Sequence, residues 1–150
     1  MPQSFCQLYA HLVFSTKNRQ GWLDDAVRPS VHACLAAILH RLGASDVLVG
    51  GAVDHVHILS ALPKTVAATT VVQRVKQDSS KQIKTFGRAY GDFCWQRGYG
   101  LFAVSPTAIR AVRSYIGKQE EHHRTVSFQE EFLAILRKAG ATWDERYVWD

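Results

Sequence analysis

The order in which strand-like and helix-like segments follow one another constrains this chain more than any other feature. Residues 7–15 alternate in character and are rich in Leu, Tyr, Val and Phe, which predicts a strand. Asp24-Asp25 can cap a helix in which Val27, Val31, Cys34, Leu35, Ile38 and Leu42 keep helical spacing until Gly43 stops it. Residues 46–53 and 55–61 read as two strands around Gly50-Gly51, closed by Pro63. Thr65 to about Tyr90 is the longest helical candidate, and a fourth strand is expected over 100–105. Ser105-Pro106 suits a helix opening, with Ser at the N-cap and Pro in the first turn, and the helix should reach about residue 122. Residues 128–139 predict a last helix ended by Gly140, and 146–149 a short terminal strand.

This order, β-α-β-β-α-β-α-α, opens with the split βαβ pattern. It predicts an α+β fold of the ferredoxin-like, RRM-like kind, with an antiparallel sheet, two helices on one face and the other face free to hold a site. Fold alone names no function. At 150 residues, with 47% hydrophobic and 21% charged residues, the chain suits a single domain over 1–150 with a real core, and disorder is excluded. The most apolar stretch, 47–62, is interrupted by Asp54, His55 and His57, so no membrane span is expected. No cationic segment precedes the first apolar residues, and Cys6, Cys34 and Cys94 form an odd, widely spaced set. Both features point to a reducing cytoplasm and away from a disulfide framework or a cysteine metal site.

The net charge of +5 is unevenly spread. Residues 1–63 are neutral overall, 64–118 carry ten basic residues against Asp78 and Asp92, and 119–150 are acidic. A basic middle suggests a polyanionic partner, nucleic acid being the commonest. Arg74, Lys81 and Arg88 recur every seven residues and so line one helix face, with Lys84 beside them; a merely solvated face would look the same.

Two local motifs carry chemistry. In Asp54-His55-Val56-His57-Ile58-Leu59, residues two apart on a strand face the same side, so His55 and His57 project together while Val56 and Ile58 enter the core. Such a pair is a ready set of metal ligands, or simply two hydrogen-bonded imidazoles on a half-buried surface. In Tyr115-Ile116-Gly117-Lys118-Gln119, the phenol and the amide are i and i+4 neighbours on one helix face. Alone, Tyr115 would be an ordinary core aromatic with its hydroxyl at the rim.

Together, the two motifs resemble the signature of the small single-tyrosine HUH transposases, the peel-and-paste enzymes of the simplest bacterial and archaeal insertion sequences. The resemblance extends to residues 11–19, 51–59 and 98–105, to Glu121-His122-His123 after the tyrosine motif, and to the acidic, aromatic tail at 128–132 and 144–149. It implies that His55, His57 and Gln119 bind one Mg²⁺ or Mn²⁺, and that Tyr115 attacks a single-stranded DNA phosphate to give a 5′-phosphotyrosine and a free 3′-hydroxyl. It implies hairpin-flanked element ends as substrate. It further implies a homodimer in which the tyrosine helix, about 106–122, completes the partner's site, with 128–150 as C-terminal helix and tail. Lys17, Arg19, Arg74, Lys81, Lys84 and Arg88 then become candidate phosphate contacts. His122 and His123 compete as ligand candidates; Gln119 ranks ahead of both by the resemblance, His122 being placed as an outer or DNA contact, and Asp54 is expected to point away from the pair. Gly117 departs from the family pattern, where a longer polar residue is usual. The alternatives are a domesticated repeat-associated transposase or replication-type nickase, and, in another class, a non-catalytic nucleic-acid-binding module. A small zinc or phosphoesterase enzyme is disfavoured because two H-x-[ST] motifs are absent.

Overall fold

The computed structural model describes residues 2–150. Four strands, β1 (Tyr9–Ser15), β2 (Ser45–Gly51), β3 (His55–Ala61) and β4 (Gly100–Ala103), form one sheet in the order β2-β3-β1-β4, every neighbouring pair antiparallel. Helix α1 (Arg28–Arg41) connects β1 to β2, and α2 (Ala68–Ile83) connects β3 to β4. This is the expected split βαβ topology.

Side-chain alternation divides the sheet. Leu12, Phe14, Val56 and Ile58 face α1 and α2, where Val31, Leu35, Ile38, Val72, Val75 and Ile83 complete a dry core. His11, Val13 and Ser15 of β1 lie opposite Leu59, His57 and His55 of β3, and all six face the other way.

That second face is not free, as the sequence led us to expect. It is covered by α3 (Ile109–Gly117), α4 (Gln119–His122) and α5 (Phe128–Lys138), so the molecule has a third layer. Val13, Phe128, Phe132 and Leu136 form a second core there, roofed by Trp143, Val148 and Trp149. The Ser127 hydroxyl accepts from the Glu130 amide while the Glu130 carboxylate accepts from the Ser127 amide, a capping box that starts α5.

Three further expectations are corrected. The helix read over 65–90 is α2 alone: after Ile83 the amides of Thr85 and Phe86 bond back three residues, to Gln82 and Ile83, and the chain tightens out of the α-helix before a short 3₁₀ turn at Arg88–Tyr90. The continuous helix read over 106–122 is broken at Lys118 (φ −107°, ψ 17°) into α3 and α4, preceded by a 3₁₀ turn at Pro106–Ala108. Ser105 does not cap it, because its hydroxyl is engaged with that of Thr107 at 2.9 Å. The tail at 146–149 is turned rather than extended, since the Asp144 carboxylate accepts the Arg146 amide and the Asp144 carbonyl accepts those of Tyr147 and Val148.

A candidate catalytic centre on the covered face

His55 and His57 are fully buried between β3 and the third layer. Opposite them α3 presents Tyr115, α4 presents Gln119 and α5 presents Glu131. A glycine makes this approach feasible. Gly50 pairs with His57 across β2 and β3, and a Cβ there would lie 2.5 Å from the Ile116 carbonyl oxygen, so only a bare Cα lets α3 settle on the sheet.

The side chains converge on one carboxylate. Glu131 Oε1 lies 2.8 Å from His57 Nε2 and 3.1 Å from His123 Nε2. Its Oε2 accepts from Gln119 Nε2 at 3.1 Å and from the Tyr115 hydroxyl. Gln119 Oε1 sits 3.1 Å from His55 Nε2 and 3.0 Å from His123 Nε2. The structure thus brings together all four residues of the two motifs, within one chain.

Two of the participants, Glu131 and His11, escaped the sequence reading. Glu131 occupies the inward stripe of α5 with Phe128 and Phe132, and an acid on an apolar stripe is the signal that could have found it. His123, rather than His122, shares Gln119 and Glu131 with the pair, although His122 Nε2 also lies 3.1 Å from Glu131. Asp54 does not point away: its Oδ1 is 2.7 Å from His55 Nδ1. Behind His57, His11 of β1 places Nε2 2.7 Å from His57 Nδ1.

Electrostatics follow from burial and this network. Burial pulls His11 down to about 3, the neighbouring His57 adding to the effect, and burial likewise lowers His57, so both rings are neutral. Burial alone would raise the Glu131 carboxyl, but hydrogen bonds from His123, His57 and Tyr115 hold it well below the usual carboxylate range. The Tyr115 phenol is pushed well above its ordinary value, first by burial and then by the Glu131 carboxylate. Burial opposes a proton on His123, yet Glu131 and the Val126 carbonyl outweigh it and raise that ring.

The donor set fits a divalent ion. His55 gives its Nδ1–H to Asp54, and His123 gives its own to the Val126 carbonyl at 2.6 Å. In the neutral rings both Nε2 atoms then present lone pairs toward the oxygens of Gln119 and Glu131, which only a cation, proton or metal, reconciles. Ligand atoms of His55, His57, His123 and Glu131 all lie within 4.8 Å of one another.

The basic residues divide by position. Lys81 and Lys84 line a cleft of about 670 Å³ between α2 and residues 94–99, together with Lys76, Arg97, Trp95 and Tyr99, and no acid lines it. Arg74 is within 3.5 Å of Asp78, and Arg88 lies on the turn after α2; neither lines the cleft. Lys17 and Arg19 follow β1 on a loop where Asn18 and Arg19 both take positive φ (55°), with the Arg19 guanidinium 5.5 Å from the Trp149 ring centroid. The two groups are therefore not one stripe.

This mixed α/β architecture, a four-stranded antiparallel sheet with helices packed on it, is similar to a tyrosine transposase fold. A REP-associated tyrosine transposase bound to a REP hairpin shares this fold at 12% identity and a TM-score of 0.58, over 84% of this chain and 74% of that one. A provisionally assigned transposase from Deinococcus radiodurans R1 shares it at 24% identity and a TM-score of 0.61, over 79% of this chain and 98% of that one. The chain belongs to the IS200-like transposases, whose family model matches residues 4–119. Among curated proteins none matches at a significant level. No helix of the described residues is long and apolar enough to cross a membrane.

Proposed function

We propose that residues 1–150 act as one metal-dependent transposase domain that cleaves and rejoins single-stranded DNA through Tyr115. The observation that carries this reading is the meeting of Tyr115, His55, His57 and Gln119 around Glu131. In the first step the Tyr115 Oη–P bond forms and the P–O3′ bond breaks, leaving a 5′-phosphotyrosine and a 3′-hydroxyl. The phenolic proton, held in its hydrogen bond to Glu131 Oε2, is transferred by way of that carboxylate to the departing O3′, which becomes the 3′-hydroxyl, so Glu131 ends ionised as it began. Rejoining is the reverse attack by a 3′-hydroxyl, so the bond energy stays in the phosphotyrosine and no nucleotide is consumed.

His55, His57 and Gln119 would hold Mg²⁺ or Mn²⁺, with His123 and Glu131 in reach of the same point. When bound, the ion would supply Lewis-acid polarisation of the scissile phosphate. The chain's own residues prepare for that. Asp54 orients His55, Gln119 bridges His55, His123 and Glu131, and the three covering helices exclude water from the buried imidazoles. Glu131 adds one negative charge beside His55, His57 and Gln119, which are otherwise a neutral ligand set.

The α2 cleft supports a nucleic-acid partner, four cations lining it beside the rings of Trp95 and Tyr99. Hairpin-flanked ends are the proposed substrate. A homodimer remains part of the proposal, but Tyr115, 5.7 Å from its own chain's His57 between ring centroids, supports a site completed in cis. His57→Ala should abolish cleavage of a single-stranded hairpin substrate in Mg²⁺ or Mn²⁺ while hairpin binding persists. Normal cleavage by that variant contradicts the ligand assignment, and binding without cleavage by the wild-type chain favours a non-catalytic module.

A further inference from the structure

His11 is an imidazole where packing asks for none. Its neighbours on this face are Val13, Leu59 and Phe102, and an apolar side chain would fill the position as well. The ring is 8% exposed and stacks on His57, with centroids 5.0 Å apart and planes at 27°. What the imidazole adds is a nitrogen, Nε2, at 2.7 Å from His57 Nδ1.

That contact fixes the proton inventory of two buried rings. Glu131 Oε1 is an acceptor, so its 2.8 Å bond to His57 Nε2 needs the proton on Nε2. Nδ1 of the neutral His57 ring is then bare and accepts from His11 Nε2–H. For His57 to offer a lone pair at Nε2, it must instead carry its proton on Nδ1, and His11 must accept there. His11 can do both. It passes its Nε2 proton to His57 Nδ1, and the proton leaving His57 Nε2 is replaced through solvent at His11 Nδ1. Two protons are held before and two after, with no net charge created.

We infer that His11 is a positioning residue that sets the tautomer and orientation of the His57 ring, and so lets His57 switch between holding Glu131 and ligating a divalent cation. The inference rests on the proposed metal reading. A metal-ligating His is normally held by a partner on its other nitrogen, and loss of that partner typically costs about 10–100-fold in metal affinity.

The test titrates the intact chain with Mn²⁺ alone by water-proton relaxation, and reads imidazole tautomers by ¹⁵N NMR with and without Mg²⁺. His11→Phe should bind Mn²⁺ about 10–100-fold more weakly, His11→Gln should recover most of the loss, and wild-type His57 should move from Nε2–H to Nδ1–H on adding Mg²⁺. Wild-type affinity in His11→Phe, or an unchanged His57 tautomer on Mg²⁺ binding, overturns the inference alone. A wild-type chain that binds neither ion overturns the metal reading and this inference with it. Should His11→Phe fail to fold, the wild-type tautomers decide.

Discussion

The ionisation of Glu131 and His57 is set by burial and by contacts between elements distant in the sequence. Alternation along β3 was enough to place His55 and His57 together, since a strand leaves adjacent side chains no other choice. Glu131 lies 74 positions beyond His57, and its approach depends on how α5 is laid over the sheet. His11 was legible only as a strand residue. It now supports a pH prediction. Its folded value, about 3, is depressed from the ordinary 6.5 by burial and then by His57. Between those limits the unfolded chain binds a proton that the folded chain refuses, so this contribution is complete above pH 6.5 and is lost as pH falls toward 3. His32, pulled to about 4 by burial and then by Arg28, acts in the same direction. Each group can add up to about 1.4 kcal/mol per pH unit within its window. Denaturant midpoints measured from pH 7 to 4 should fall steeply for the wild-type chain and less steeply for His11→Gln.

At the scale of elements, the sheet, α1 and the last helix follow from periodicity and turn signals, and the tyrosine helix does not. The strands and α1 are cut close to the expected boundaries by Gly43, Gly50-Gly51 and Pro63. The tyrosine helix is different: α3 has nine residues and α4 four, lengths that are marginal in isolation, so tertiary contacts determine them. Arg113 of α3 pairs with Asp46 at the β2 bulge, where Asp46 takes φ 52° and also accepts from Tyr9. Arg28, at the start of α1, bonds Glu120 of α4 at 2.5 Å. Neither clasp could be read from helical spacing. The sheet-side requirement is Gly50. Gly50→Ala should force α3 off β2, costing about 1–3 kcal/mol in chemical denaturation and weakening Mn²⁺ binding along with it. An unchanged midpoint would mean that α3 has room to shift.

For the whole molecule, the basic centre of the sequence indicates a polyanionic partner, and the fold decides where those charges lie. Heptad spacing put Arg74, Lys81 and Arg88 on one face, whereas the fold selects Lys81 and Lys84, adds Lys76 from the same helix and brings Arg97 from another segment. Lys76 is tied to the Arg97 and Gly98 carbonyls at 2.9 Å, and burial lowers it to about 8. Lys81 and Lys84 are therefore the freer charges. Replacing both with Ala should weaken hairpin binding and lower the slope of log affinity against log salt by about 2; an unchanged slope would remove the cleft from the DNA path. Completion of the site in cis has its own check. Mixing Tyr115→Phe with His57→Ala should give no cleavage if each chain uses its own tyrosine, whereas recovered activity would show exchange between subunits. Whether Tyr115 is the nucleophile is decided by incubating the chain with single-stranded hairpin DNA and Mn²⁺, denaturing, and measuring covalent protein–DNA adduct. The wild-type chain should form the adduct and Tyr115→Phe should form none, while still binding the hairpin. An adduct of equal yield in Tyr115→Phe would contradict the account.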